Sequence, residues 1–309
     1  MMTTQHLSTA IVIALGALAI TPIPGHSEAA ETVTIQFAGT VGDQPFDCRD
    51  TYELGTTNTP VMATDFRLYV SEVALIDVNG NAVPLELQQD GRWQYQNVAL
   101  LDFEDRTGAC ANGTTATRNT VVGTVPAGDY RGLRFTLGVP FALNHEDATL
   151  APSPLNLTAL WWNWQGGYKF MRVDLEHHAM AADIPQPDAK GVGHHQPGDH
   201  SGHGSQAAAG MAFHIGSTGC QIEGGQQPTS CSHPNRPEVI FDSFNPDQDV
   251  VLVDLAALLQ DNNLMENAPD TPTGCMSSPG DGDCSGVMGN LGLPFGQAPA
   301  TEQTVFRTE

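Results

Sequence analysis

The stretch Phe-Arg-Leu-Tyr-Val-Ser at residues 66–71, followed by Val-Ala-Leu-Ile-Asp-Val at 73–78 and then Asn79-Gly80, decides the fold class. Both runs are rich in β-branched, aromatic and other apolar residues, and Asn-Gly is a hairpin-type turn signal. The sequence therefore predicts two short strands and a turn. Similar runs predict strands at residues 33–38, 121–125, 130–137, 160–164, 170–175, 211–215, 239–241 and 250–255.

Helical periodicity is nearly absent, apart from a turn or two at residues 255–259. With 32 glycines and 21 prolines among 309 residues, the chain reads as all-β. Its simplest architecture is a two-sheet β-sandwich, immunoglobulin-like or similar, with long loops and disulfides. We expect one such domain over residues 31–309.

The first thirty residues are typical of a secretory signal. Residues 8–20 form an apolar run that is too short to span a bilayer, and Ser27-Glu28-Ala29-Ala30 offers small residues for a signal peptidase. No Lys or Arg precedes the apolar run. We expect a signal peptide at residues 1–30 and a soluble, periplasmic or secreted mature chain without stable membrane insertion.

Six cysteines agree with an oxidising compartment, where an even count indicates disulfides. Cys220 with Cys231 and Cys275 with Cys284 would close short loops, which leaves Cys48 for Cys110. Metal thiolates are the weaker alternative, because the chain has no C-x-x-C pair.

The formal charge of −23 argues against nucleic acid and anionic membrane surfaces as partners. It favours a cationic partner, such as a metal ion or a basic protein surface.

A second compositional feature is a loop at about residues 183–210, rich in Gly, Pro and His and almost without large apolar side chains. Such a segment cannot build a core of its own. Its four histidines are secondary metal candidates: His194, His195, His200 and His203. Two more histidines, His177 and His178, lie just before the loop.

The sequence from Trp161 to Phe170 holds three of the four tryptophans of the chain and a Gly-Gly pair. In a strand, Trp162 and Trp164 would share one face and Trp161 would point away, toward the core. The plain interpretation is a core strand followed by a turn. The alternative is a site that uses indole chemistry.

Two more histidines are close to strand ends: His145 lies just beyond a predicted strand, and His214 lies at the end of the predicted strand 211–215. Each alone is typical of a hydrogen-bonded structural residue. Together with the tryptophans they are candidates for a metal site, which needs several converging donors.

These motifs resemble the methanobactin-partner (MbnP-like) family, the four-Cys proteins of a "metallo-mystery pair". The resemblance rests on Trp-x-Trp-Gln-x-Gly-Tyr-Lys-Phe at 162–170, Phe-His-Ile-Gly-Ser-Thr-Gly-Cys at 213–220, and Gly-Cys-Met-Ser at 274–277 with Cys284. It extends over about residues 33–295. The histidine-rich loop is not part of it.

The resemblance implies an exported copper-binding protein that is paired with a di-haem, cytochrome c peroxidase-like enzyme. In that family the haem partner oxidises a tryptophan to kynurenine. Trp162 or Trp164 is then the modified residue, with a slight preference for Trp162. His145, His214 and the kynurenine are the expected copper ligands.

Two other interpretations stay open. One is a histidine-rich periplasmic metal buffer, and the other is a β-sandwich interaction module without a metal. An enzyme in its own right is not expected, because the G-x-S-x-G, H-E-x-x-H, Walker and C-x-x-C-H patterns are all missing from the sequence.

Overall fold

The computed structural model of the chain describes residues 29–178, 210–225 and 227–309. Strands dominate, at 43% against 8% for helices, and they form several sheets. The predicted all-β sandwich is confirmed. The expected signal peptide falls almost entirely outside the described residues, as do His194, His195, His200 and His203.

Within these ranges the chain forms twenty strands, three short α-helices and one 3₁₀ helix. The strands are β1 Ala30–Val41, β2 Gln44–Pro45, β3 Tyr52–Leu54, β4 Thr59–Asp77, β5 Ala82–Pro84, β6 Glu86–Leu87, β7 Gln94–Tyr95, β8 Val98–Asp102, β9 Thr120–Pro126, β10 Tyr130–Leu137, β11 Trp161–Asn163, β12 Gly167–Tyr168, β13 Met171–His177, β14 Gly210–Ile215, β15 Thr218–Gln221, β16 Ser230–His233, β17 Glu238–Phe241, β18 Val250–Asp254, β19 Gly274–Cys275 and β20 Phe306–Thr308. The helices are α1 Phe141–Asn144, α2 Leu255–Leu259, α3 Cys284–Asn290 and the 3₁₀ helix Thr158–Leu160.

Two large sheets enclose the main core. The smaller sheet has the order β20-β18-β1-β9-β6, with β2 beside β1. The larger sheet has the order β17-β10-β4-β13-β14-β19, and β4 also pairs with β3, β5 and β8. Inward side chains of both sheets meet between them, as where the rings of Phe37 and Phe135 lie 5.6 Å apart, edge to face.

Strand β4 corrects one prediction, because the runs at 66–71 and 73–78 belong to one long strand. A β-bulge joins them: between the pairs Arg134–Ala74 and Thr136–Ser71, β4 contains one residue more than β10. Glu72 takes a φ of +55° there. The extra residue bends the strand without ending it. The predicted turn at Asn79-Gly80 does follow it.

A second apolar cluster lies on the outer face of the larger sheet. Because side chains alternate along β4, Leu68 and Val70 face the main core, whereas Tyr69 faces outward. The ring of Tyr69 packs edge to face on Tyr168, and the two hydroxyls donate to the carbonyls of Pro154 and Leu155. This cluster fixes the tryptophan segment to the sheet.

All three predicted disulfides are confirmed: Cys48–Cys110, Cys220–Cys231 and Cys275–Cys284. They agree with an oxidising compartment. In the described ranges, no helix is both long enough and apolar enough to cross a membrane.

Candidate functional site

The tryptophan segment is a tight hairpin. Strand β11 pairs antiparallel with β12, and residues 164–166 form the turn between them. The Asn163 side-chain oxygen accepts hydrogen bonds from the amides of Gln165 and Gly166. Gly167 has a φ of +76°, and a Cβ there would lie 2.4 Å from the Asn144 amide nitrogen. Glycine therefore allows the hairpin to reach the segment that carries His145.

The position of Trp164 in this turn changes how the three indoles are arranged. Strand alternation does not apply to a turn residue, so Trp162 and Trp164 line different cavities. Trp161 and Trp164 line the same cavity as His145. Trp161 also packs against the second apolar cluster, and its indole N–H is buried without a hydrogen-bond partner.

His145 follows directly after α1 and is buried beside the turn. Its Nδ1 lies 3.1 Å from the carbonyl oxygen of Trp164. A carbonyl oxygen only accepts, so Nδ1 carries the proton and Nε2 keeps the lone pair. Burial lowers the pKa of His145, against a smaller rise from this hydrogen bond. The imidazole is thus neutral at pH 7, with Nε2 as a donor for a metal.

The cavity beside His145 has a volume of about 630 Å³. Apolar side chains around it are unusually exposed: Trp164 by 43%, Phe141 by 42% and Ile222 by 38%. The ring of Phe141 packs against the imidazole at 4.9 Å. The cavity therefore combines an imidazole donor with two indoles, of which Trp164 is the more exposed to solvent.

The Cys220–Cys231 disulfide lies against the same imidazole. Cys231 Sγ is 3.5 Å from His145 Nε2. Among the described residues, these three form the one group of at least three His, Cys, Asp or Glu donors whose ligand atoms all lie within 4.8 Å of one another.

Trp162 packs on the Gly-Ser-Thr-Gly-Cys run at residues 216–220, which is part of the family resemblance. Its ring fills the space above Gly216, where a Cβ would lie 2.5 Å from Cζ3 of the indole. Ser217, Thr218 and Met276 line the cavity beside it, which has a volume of about 680 Å³. Trp162 thus faces the second of the two cavities.

His214 has a different environment from that of His145. It lies in β14 opposite Arg172 of β13, and its Nε2 is 2.6 Å from Asp174 Oδ1. Burial opposes ionisation of Asp174, yet hydrogen bonds from His214 and Arg172 lower its pKa to about 2. Burial lowers the pKa of His214, and Asp174 counteracts this. Because Asp174 accepts from Nε2, the lone pair of His214 is on Nδ1.

The structure therefore does not place the two predicted imidazoles in one donor group. His145 belongs with Trp164 and the disulfide, and His214 belongs to a charged cluster on the outer face of the larger sheet. That His214 and Trp162 share one copper ion with His145 stays a prediction. His177 and His178 belong neither to the His145 cavity nor to the charged cluster. The Nε2 of His177 lies 2.8 Å from the Leu264 carbonyl oxygen, and His178 is exposed.

The charged cluster around His214 was not foreseen from the sequence. Arg67 pairs with Asp65 and with Glu104, and Arg172 pairs with Asp65 and Asp174. All of these side chains are at least largely buried. The sequence does contain a signal for this cluster. Two apolar strands each carry an acidic and a basic residue two positions apart, at 65 and 67 and at 172 and 174, and such residues point to the same face of a strand.

Asp102, which interacts with Arg67 and Glu104 of this cluster, gives a pH-dependent prediction. Burial raises the pKa of Asp102 to about 7, although Arg67 opposes the rise. The native state then binds more protons than the unfolded chain between about pH 4 and pH 7, so this group makes stability fall as pH rises through that window. Asp102→Asn keeps a side-chain oxygen for the Glu104 amide. We expect it to raise the free energy of unfolding by about 2 kcal/mol at pH 8 and hardly at all at pH 4.

Urea unfolding of both proteins at the two pH values measures this difference. A lower stability of the variant at pH 8 would contradict the assignment, because it would mean that the ionised carboxylate stabilises the fold.

Comparison with known proteins shows the family of this chain. The family model described as MbnP matches residues 30–277. The solved structure of MbnP from Methylosinus trichosporium is similar with a TM-score of 0.73 at 28% identity, over 91% of this chain and 98% of that one. No curated protein sequence matches significantly. The family match covers well over half of the chain and includes the tryptophan hairpin, His145, His214 and five of the six cysteines. This chain therefore belongs to the MbnP family.

Proposed function

We propose that this protein is an exported copper-binding protein and the substrate of a di-haem, cytochrome c peroxidase-like enzyme. That enzyme would oxidise one tryptophan to kynurenine and so complete a copper site. The observation that carries the proposal is the shared cavity of His145, Trp161 and Trp164, in a chain of the MbnP family. In this proposal the chain is not itself an enzyme.

The need for oxidation follows from the chemistry of indole. Its nitrogen offers only an N–H donor, so tryptophan cannot bind a metal through a lone pair. With peroxide as the oxidant of the peroxidase-like partner, cleavage of the indole C2–C3 bond adds two oxygen atoms. Hydrolysis then releases C2 as formate, and the resulting kynurenine offers an aryl amine and a ketone. A neutral imidazole and an amine are donors that suit copper better than hard cations. His145 already presents Nε2 in the required form, because the Trp164 carbonyl oxygen holds Nδ1–H.

Trp164 is the tryptophan that the geometry favours for oxidation, rather than Trp162. It is the most exposed indole of the hairpin and shares the cavity with His145. An electron-accepting partner can approach an exposed ring closely. Trp162 lines the other cavity and packs on Gly216.

Co-expression with the di-haem partner tests the modification. Peptide mass mapping should find a gain of one oxygen and a loss of one carbon at Trp164. We expect Trp164→Phe to lose the modification, and Trp162→Phe to retain it. Trp93→Phe is the matched control, since Trp93 lies outside both cavities and packs beneath Arg92. An unmodified protein that also retains no copper after dialysis would refute the proposal.

Copper binding should not depend on the histidine-rich loop. Deleting residues 183–209 keeps Gly210 in its strand opposite Glu176. We expect the variant to bind copper as the full chain does after oxidation by the partner. If tight binding disappears with the loop and survives His145→Ala, the metal-buffer interpretation is the correct one.

A further inference from the structure

We propose that reduction of the Cys220–Cys231 disulfide creates a second metal-binding state, in which both thiolates and His145 Nε2 hold one Cu(I) ion. This state needs no oxidised tryptophan. It is therefore independent of the kynurenine site, although both use His145.

The donor atoms are already close enough for one ion. Their mutual distances are all within 4.8 Å, and Cys231 Sγ is 3.5 Å from His145 Nε2. In a three-coordinate site with metal–sulfur bonds of about 2.3 Å, the two sulfurs lie about 4 Å apart. Once the S–S bond is reduced, rotation about the Cα–Cβ bonds of the two cysteines can bring the thiols to this separation.

The imidazole is oriented for this role. Its Nδ1–H donates to the Trp164 carbonyl oxygen, so Nε2 carries the lone pair on the side of the disulfide. The Asn144 amide donates a hydrogen bond of 3.3 Å to the same Nε2, and a bound ion would replace it. A hydrogen bond to the second ring nitrogen is the usual way in which proteins orient a metal-binding histidine.

The backbone should keep the two cysteines together after reduction. Cys220 in β15 and Cys231 in β16 are directly opposite each other in an antiparallel pair, with Cα atoms 3.8 Å apart. The amide of Thr229 donates to the carbonyl of Gln221 at the end of this hairpin. The pairing does not require the S–S bond, so the thiols remain neighbours.

This disulfide is also the most accessible of the three. Cys231 is partly exposed, whereas the four cysteines of the other two bridges are at most 2% exposed. Thiol–disulfide exchange depends on such access. A small dithiol attacks the bond, forms a mixed disulfide and leaves as its own cyclic disulfide. The chain gains two electrons and two protons as two thiols.

The donor set selects a soft ion. Thiolates favour Cu(I) and Zn(II) over hard cations, and a dithiol reductant keeps copper as Cu(I). Binding releases the two thiol protons to solvent. The formal charge of −23 on the chain also attracts a cation.

The test uses the full chain produced without any haem partner, so that tryptophan stays unmodified. Mild dithiol treatment followed by alkylation and peptide mapping should identify Cys220 and Cys231 as the reduced pair. The reduced protein should then bind one equivalent of Cu(I) in competition with a chromophoric Cu(I) chelator. Bound Cu(I) should also protect both thiols from alkylation.

Variants separate the three donors. We expect Cys220→Ser/Cys231→Ser to abolish this binding, and His145→Asn to weaken it at least ten-fold. Cys275→Ala/Cys284→Ala is the matched control and should bind as the parent does. The proposal is overturned if the reduced parent binds no Cu(I), if the double serine variant binds equally well, or if His145→Asn has no effect on affinity. Failure here leaves the kynurenine proposal intact, because that site forms in the disulfide-bonded protein.

Discussion

His145→Ala is expected to weaken copper binding by the partner-oxidised protein more than about 100-fold. Losing the hydrogen-bond partner of a ligand already costs about 10–100-fold in metal affinity, and here the ligand itself is removed. Among the described residues no second imidazole lines this cavity, whose other walls are Trp161, Trp164, Asp147, Thr149, Ile222, Gly225 and Gln227. A competition titration with a copper chelator measures the change.

His214→Gln is the matched variant for this experiment. Glutamine keeps a donor toward Asp174, whose carboxylate would otherwise lose one of its partners. If His145 is the decisive imidazole, the affinity should change much less than in His145→Ala. An equal loss in both variants would instead support the two-histidine site that the sequence predicts. Unchanged affinity in His145→Ala would contradict the account.

Cys48→Ala/Cys110→Ala is expected to lower the free energy of unfolding by about 4 kcal/mol. The bridge joins residues 62 apart in the chain, and the entropy that a cross-link removes from the unfolded chain grows with loop length. Both cysteines are buried, and Cys110 lies close to the Ala63 carbonyl of the larger sheet. Truncation to alanine therefore also removes packing that water does not replace. Such a loss is a large part of the stability of a typical domain.

The bridge Cys275–Cys284 provides the comparison, because its cysteines are only 9 residues apart and equally buried. The same relation gives a loss of about 2.5 kcal/mol for its double alanine variant. Urea unfolding of the three proteins measures both values. A smaller loss for the long bridge than for the short one would show that strain or denatured-state structure, rather than loop closure, dominates.

The sequence was sufficient for the fold class because its signals are local. Alternation in β1, the apolar runs of β4 and the turn after Asp77 are each visible within about ten residues. The three disulfides were also predictable, since two pairs close short loops. The sequence did not predict that β4 is one continuous strand, because the bulge at Glu72 depends on how β10 pairs with β4. Strand β8 was also not predicted, because it is a short apolar run buried on both faces and shows no alternation of polar and apolar residues.

The site was only partly predictable, for a physical reason that Trp164 illustrates. Its place in a turn is fixed by Asn163, whose side chain accepts two amide hydrogen bonds, and by Gly167, which fits against Asn144. One residue of difference in strand length reverses which indoles share a cavity. Alternation along the sequence predicted Trp162 with Trp164, whereas the folded hairpin places Trp161 with Trp164.

The contact between His145 and the Cys220–Cys231 bridge was out of reach of sequence reasoning. The two elements are about 75 to 86 residues apart in the chain, and Gln227 connects them again through the His145 carbonyl. His145 and His214 lie in different environments because His214 belongs to the charged cluster on the outer face of β13 and β14. No local pattern encodes that placement.

A crystal structure of the partner-oxidised, copper-loaded protein, with anomalous diffraction measured at the copper absorption edge, tests the central claim most directly. The account predicts a single strong copper peak within bonding distance of His145 Nε2, beside the oxidised side chain of residue 164. A copper peak beside His214 or Trp162, with none at His145, would contradict it.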